Sequence, residues 1–354
     1  WSSDVCSSDL SEKKLMSTTI ETRNHTKTLI SAEKKACHIL ASLISENKSY
    51  TDNKNLTEHP KHNKKDYHLV AGNDLFENSR PQLINRHFLS NLKQFKQHDS
   101  RTILISQTVS DYEQGLKFRI LCNRLKNIST IIVKDQKSYN LLQDKGITQT
   151  QLSFDIRFLL EPSTFALMEA YQTIQNRQPS LKKCCLITLP EPNQKQNIIP
   201  SNIAKKITST CQQVISIGLT PMILFQPSEH THLIITQDIK DKLSDICFID
   251  STQHNPLITD YDFLQALLHV SKYKITSNYL STIFAVTTGF KPLTFYASEL
   301  EHDLIKRLKL PHNSICERRS PTLDERSLTE PQKVDINLIR QHICTAFQLS
   351  EPLH

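Results

Sequence analysis

Eight short apolar, β-branched runs punctuate the chain: 67–71 (YHLVA), 102–106 (TILIS), 130–134 (TIIVK), 185–189 (CLITL), 221–225 (PMILF), 246–250 (ICFID), 273–276 (YKIT) and 293–296 (LTFY). Between them, apolar residues recur every three or four positions over 83–97, 114–126, 137–145, 163–176, 201–217, 260–271 and 280–288. Strand periods alternating with helix periods predict βαβ units, and hence parallel sheets covered by helices. The runs carry few polar residues, the pattern of strands buried on both faces. The expected fold class is therefore α/β.

The chain has only five glycines, and three of them fit this scheme. Gly146, Gly218 and Gly289 each follow a helical stretch, where a left-handed residue closes a helix without steric cost. Polar stretches divide the chain into a segment 1–65 with one amphipathic helix at 32–45, an α/β lobe at 66–178, a second at 179–330, and a terminal helix at 331–354. The break near 177–184, at NRQPSLKK (176–183), marks the expected change of lobe. Ile336, Leu338, Ile339, Ile343 and Phe347 form an apolar stripe on the last helix. Two such lobes are expected to face a cleft, where ligands meet the carboxyl ends of parallel strands. Residues 1–10 (WSSDVCSSDL) hold the only tryptophan and read as translated adapter sequence, with Met16 as a candidate start.

Composition narrows the function classes. Of 354 residues, 38% are hydrophobic and 22% charged, which suits a packed core. The net charge of +7 is spread rather than gathered, so no nucleic-acid partner is expected. No window reaches the 18 or so uninterrupted apolar residues of a transmembrane segment. Nine cysteines lack Cys-x-x-Cys spacing and most sit in apolar runs, as reduced buried thiols of a cytoplasmic protein do. Fifteen histidines show no metal spacing; His230 and His232 read as surface residues on one strand face, so neither metal nor cofactor is expected. The signatures G-x-G-x-x-G, G-x-x-x-x-G-K-[ST] and G-x-S-x-G are absent.

The segment order is more informative. Residues 106–160 place Ser106-Gln107 after one strand, Lys134-Asp135 with Ser138 after the next, then Gly146 and a strand leading to Asp155. Upstream stands Ala71-Gly72-Asn73 in LVAGNDLFEN (69–78). Downstream, 261–296 runs helix, strand, SNYL loop, helix, Gly289, and a strand ending in Tyr296. Over about 66–310 this order resembles the polysaccharide pyruvyl transferase family, whose fold is similar to that of two-lobed glycosyltransferases.

The resemblance implies a transferase that moves a pyruvyl group from phosphoenolpyruvate to a glycan acceptor. Lys134 would hold the donor phosphate and Asn278 would touch donor or acceptor. Asn73, Gln107, Asp135, Ser138, Asp155, Ser277 and Tyr296 would line the substrate site. Departures are also on the page: Asn278 and Leu280 stand at the family's Arg-x-His, and Lys134 at the Arg of its Arg-Asp-x-x-Ser. Leu280 cannot donate a proton, and Lys134 keeps charge without the bidentate fork. Each polar residue also has a structural reading. Asp135 and Asn278 fit helix N-caps, Ser138 a first helical turn, and Asp155 a loop clamp. Two alternatives stay open beside pyruvyl transfer: a non-catalytic relative that binds a glycan or partner, and a nucleotide-sugar glycosyltransferase. Homo-oligomerisation is left open as well.

Overall fold

The computed structural model describes residues 18–20, 32, 35–43, 68–71, 102–109, 116–178, 183–190, 200–226, 230–244, 246–289, 291–295, 298–310, 315–316 and 334–347. The chain divides into two compact units. One comprises 1–22 with 37–152, and the other 23–36 with 153–354. Both are parallel-sheet α/β structures, as the alternation of periods requires.

The first unit holds a five-stranded sheet in the order β1-β2-β3-β4-β5. Its strands are β1 (Thr18–Ile20), β2 (His68–Ala71), β3 (Thr102–Gln107), β4 (Thr130–Val133) and β5 (Thr150–Leu152), all paired in parallel. The segment 1–65 thus contributes a strand as well as a helix. That helix, α1, runs over 35–43 with Ala36, Cys37 and Leu40 buried. Helices α2 (Leu116–Leu125) and α3 (Gln136–Asp144) follow β3 and β4. Phe118, Leu121 and Leu125, spaced on one helix face, pack with Leu104, Ile131, Leu142 and Ile147 into one core.

α3 ends as its sequence forecasts. Gly146 has φ of 72°, its N–H donates to Gln143 O at 2.8 Å, and Ile147 N–H donates to Leu142 O at 3.0 Å. This is the double closure of a left-handed stop, with Leu142 and Ile147 sharing the core. Gly218 closes the helix before β7 in the same way.

The second unit holds β6 (Cys184–Thr188), β7 (Thr220–Phe225), β8 (Cys247–Asp250), β9 (Tyr273–Thr276), β10 (Leu293–Phe295) and β11 (Ile315–Cys316). The sheet order is β11-β10-β9-β6-β7-β8, all parallel. The chain builds outward from β6 to β8, then returns to place β9 on the other side of β6. Six helices belong here: α4 (Thr164–Gln175), α5 (Pro200–Ser216), α6 (His230–Lys240), α7 (Asp260–Val270), α8 (Tyr279–Thr287) and α9 (Glu299–Arg307), with α10 (Ile336–Ala346) near the terminus. Ile203, Ile207, Cys211 and Val214 of α5 pack on Ile187, Ile223 and Ile275 of the sheet.

Several expectations need correction. The change of unit falls between Leu152 and Ser153, not at 178. Helix α4 is tied to the second unit because Ser163 at its N-cap donates from N–H and Oγ to the Asp262 carboxylate at 2.9 and 2.7 Å. Gln265 Nε2 donates to Leu160 O at 2.8 Å, and Arg340 pairs with Glu161 at 2.6 Å. Residues 230–240 form a helix rather than a strand, so His230 and His232 do not alternate on a sheet face. On α10, Ile339 and Ile343 are buried while Leu338 is half exposed. The helix expected at 83–97 lies outside the described residues, and no described helix is long and apolar enough to cross a membrane.

Candidate functional site

Four of the residues singled out in the sequence meet at the carboxyl edge of the first sheet. β3 ends in Ser106, a buried non-glycine residue with φ of 53°, and Gln107, which is fully buried. The register to β4 shifts between Leu104 and Gln107. Lys134 N–H donates to Gln107 O at 3.2 Å, and the Gln107 side chain folds back to donate to Ile105 O at 2.7 Å. Asp135 is the N-cap of α3: its carboxylate accepts from Ser138 N–H and Ser138 Oγ, both at 2.7 Å. Ser138 Oγ in turn accepts from Val109 N–H at 2.8 Å, tying the end of β3 to the start of α3. Asp135 and Ser138 are thus committed to local structure.

Asp155 belongs to the second unit. It caps a short 3₁₀ turn (Ile156–Leu159) and holds Arg157 bidentately, Nε to Oδ1 at 2.8 Å and Nη2 to Oδ2 at 2.6 Å. Both side chains are at most 1% exposed, and the guanidinium lies 5.5 Å from the Tyr279 ring centre. Asp155 is therefore a buried clamp on Arg157. Asn73 and Tyr296 lie outside the described residues.

The second unit carries its own pocket at the carboxyl ends of β6 and β7 and the starts of α7 and α8. Its lining includes Thr188, Gln226, His232, Asp260, Asn278 and Ser281, with Leu189, Phe225, Leu264 and Leu280 as apolar wall. The position follows from topology. The strand order reverses between β6 and β9, leaving a crevice where their following segments diverge. Ser277 N–H donates to Thr188 Oγ1 at 3.0 Å across that reversal, and Asn278 Nδ2 donates to Leu189 O at 3.4 Å. Asn278 is also the N-cap of α8, its Oδ1 accepting from Ser281 N–H at 2.8 Å.

Sequence reasoning missed five of the polar lining residues: Thr188, Gln226, His232, Asp260 and Ser281. His232 is 7% exposed, not a surface residue: its Nδ1 accepts from Gln226 N–H at 3.2 Å and its Nε2–H donates to Pro190 O at 3.1 Å. One neutral imidazole thus staples the loops after β6 and β7. Asp260, the first residue of α7, accepts from His254 Nε2 at 3.1 Å. Ser281 is 1% exposed, and its Oγ is buried with no partner in the protein. Thr188 closes the sheet end. Only His232 had a local signal, and the strand reading concealed it. Among the described residues no group of three or more His, Cys, Asp or Glu side chains could hold a metal ion. Cys37, Cys122, Cys184, Cys185, Cys211, Cys247 and Cys344 are in no disulfide, and all but Cys247 are buried.

No family model matches the chain, and no curated protein matches it. Several solved structures are similar in fold. A UDP-forming trehalose-phosphate synthase from Burkholderia xenovorans is 10% identical, with 88% of this chain and 74% of that one covered and a TM-score of 0.41. The UDP-GlcNAc 2-epimerase from Neisseria meningitidis, bound to UDP-GlcNAc, is 12% identical over 85% and 72%, at 0.43. A trehalose-6-phosphate structure from E. coli, bound with UDP-2-fluoro glucose, is 10% identical over 88% and 78%, at 0.46. None of the three reaches 0.5, so the likeness carries no functional weight.

Proposed function

We propose that the chain is a sugar transferase whose second unit holds an activated, nucleotide-linked sugar donor at the crevice between β6 and β9. One observation carries the reading: the second sheet reverses its order between these strands, and a pocket of hydroxyls, amides and a carboxylate stands at that point. In wound parallel sheets this is where nucleotide-bearing ligands sit. The N-terminus of α8 opens there, adding first-turn amide dipoles to the side chains. The loop after β6 lacks the glycine fingerprint of dinucleotide enzymes, so a dinucleotide cofactor fits less well.

Pyruvyl transfer has less behind it. Asp155 is committed to Arg157, and Asn278 caps α8. Leu280, in the pocket wall where that chemistry wants a proton donor, is 4% exposed. The same leucine favours a second reading, a binding protein without turnover.

Thermal stabilisation separates these. The full chain, heated with uridine-, guanosine- and adenosine-diphosphate glucose and with phosphoenolpyruvate, is expected to gain stability from a nucleotide sugar alone. A ligand at a hundred times its Kd adds about 2.7 kcal/mol. A response confined to phosphoenolpyruvate would return the chain to pyruvyl transfer. Stabilisation without hydrolysis or transfer of the sugar would favour the binding protein.

A further inference from the structure

The β6–β9 pocket has a chemical bias that the donor reading does not itself require. Its one ionisable group besides His232 is an acid, Asp260, and among the described lining residues there is no lysine or arginine. Asp260 is held from behind. His254, with its side chain 5% exposed, directs Nε2 at Asp260 Oδ1 at 3.1 Å and Nδ1 at Asn255 O at 3.0 Å. The His254 ring is fixed by Phe263, 4.7 Å between ring centres. With its Nε2–H directed at Asp260 Oδ1, this imidazole donates to the carboxylate and fixes its orientation. The second feature is Ser281, whose buried hydroxyl lacks a protein partner. Among the described buried hydroxyls without a protein partner, Ser281 Oγ alone belongs to a residue lining this pocket, where a ligand atom would complete it.

We propose that this pocket selects a vicinal diol, with Asp260 accepting from the ligand's hydroxyls, Ser281 Oγ making a further hydrogen bond, and His254 acting as a positioning residue for Asp260. The diol is either the ribose or the hexose of the donor; the chemistry is shared and the ligands separate the two. The proposal rests on the donor reading only for the identity of the larger ligand.

The test is titration calorimetry on the full chain. The probes are the best-stabilising nucleoside-diphosphate glucose, its 2′,3′-dideoxy-ribose analogue, and the nucleoside diphosphate without hexose. Asp260→Asn is expected to weaken the parent ligand at least tenfold, since hydrogen bonds to a charged group are the stronger kind. It should also bring the preference for parent over diol-lacking analogue close to one. If that collapse occurs against the dideoxy compound the diol is ribose, and if against the hexose-free compound it is the sugar. Ser281→Ala removes an unsatisfied hydroxyl, so the unliganded protein should melt at the wild-type temperature or above, while affinity falls. His254→Ala should weaken binding, and His254→Gln, which restores a donor, should recover part of it.

Wild-type affinity and selectivity in both Asp260→Asn and Ser281→Ala would overturn the proposal while leaving the donor reading intact. Binding of free ribonucleosides or hexosides that depends on Asp260, with no binding of any activated sugar, would remove the donor reading and keep the pocket assignment. Binding of neither class would overturn both.

Discussion

Lys274 offers a quantitative test of the second core. It lies within β9, is 4% exposed, and pairs in register with Leu186 of β6. Burial pushes its ammonium down from 10.5 to about 8, with nearby Cys185 acting weakly the other way. At about 1.4 kcal/mol per pH unit, that displacement corresponds to roughly 3 kcal/mol of destabilisation while the lysine is charged. The folded chain releases this proton first. Between about 8 and 10.5 the unfolded chain therefore binds more protons, and this group's contribution to stability rises with pH. Lys274→Met keeps the length of the stem and removes the charge. It should stabilise the protein by up to about 3 kcal/mol at pH 7, a gain that shrinks steadily above pH 8.

Other groups move in the same range with the opposite sign. Burial raises the Cys184 and Cys211 thiols to about 11 and 12, so the folded state keeps their protons longer and stability falls as pH climbs past 9. The quantity to follow is therefore the difference between variant and wild type at each pH. It is obtained from urea unfolding followed by circular dichroism at pH 7, 8 and 9. His269, lowered by its own burial and by the Lys274 charge, titrates below this window. A stability difference that stays constant from pH 7 to 9, or a variant less stable than wild type at pH 7, would refute the reasoning.

Three further substitutions sort structural from ligand roles. Asp155→Asn breaks a buried bidentate pair and should cost about 3–5 kcal/mol in urea unfolding; an unchanged midpoint with lost ligand binding would put Asp155 back in a site. Gly146→Ala meets no atom within 4 Å, so its expected loss of about 1–2 kcal/mol is the backbone cost of φ at 72°, read from the thermal midpoint. Asn278→Ala should lose about 1 kcal/mol of cap energy, whereas Asn278→Asp keeps the cap. Weakened ligand binding in Asn278→Asp at wild-type stability would assign Asn278 a ligand contact as well.

Much of the fold was legible because its signals are local. Every expected strand coincides within two residues with an observed one, and the helix stops at Gly146, Gly218 and Gly289 all have positive φ. What local patterns cannot carry is partnership. NRQPSLKK looks like a linker but falls inside one unit, whereas the crossing at Leu152–Ser153 is followed by the mostly apolar Phe154–Leu160 and gives no composition signal. Helix α6 was missed because Pro227-Ser228-Glu229-His230-Thr231-His232 alternates like a strand at its start, and its buried positions, His232, Ile235, Thr236 and Ile239, declare a helical face only once the core is known. β5, with a polar glutamine at its centre, is not among the apolar runs and entered only as the strand expected before Asp155.

The same limit governs the site. Asp135, Ser138, Asp155 and Asn278 are the residue types that serve both as helix caps and as ligand contacts, and the structure shows a capping or clamping role for each. Residue type therefore does not separate the two roles; among the residues lining the pocket, unspent hydrogen-bonding capacity does. Asp135 and Asn278 have first-turn amides as partners, and Asp155 has a guanidinium, whereas Ser281 has a buried oxygen with nothing to bond. Where that oxygen stands was fixed by the pairing of β9 with β6, Lys274 against Leu186, across 88 residues of chain. No periodicity encodes that pairing. A crevice arises at this point because β7 and β8 were laid down on one side of β6 before β9 took the other. The strand order thus makes the place, and an unfilled hydroxyl marks what it is for.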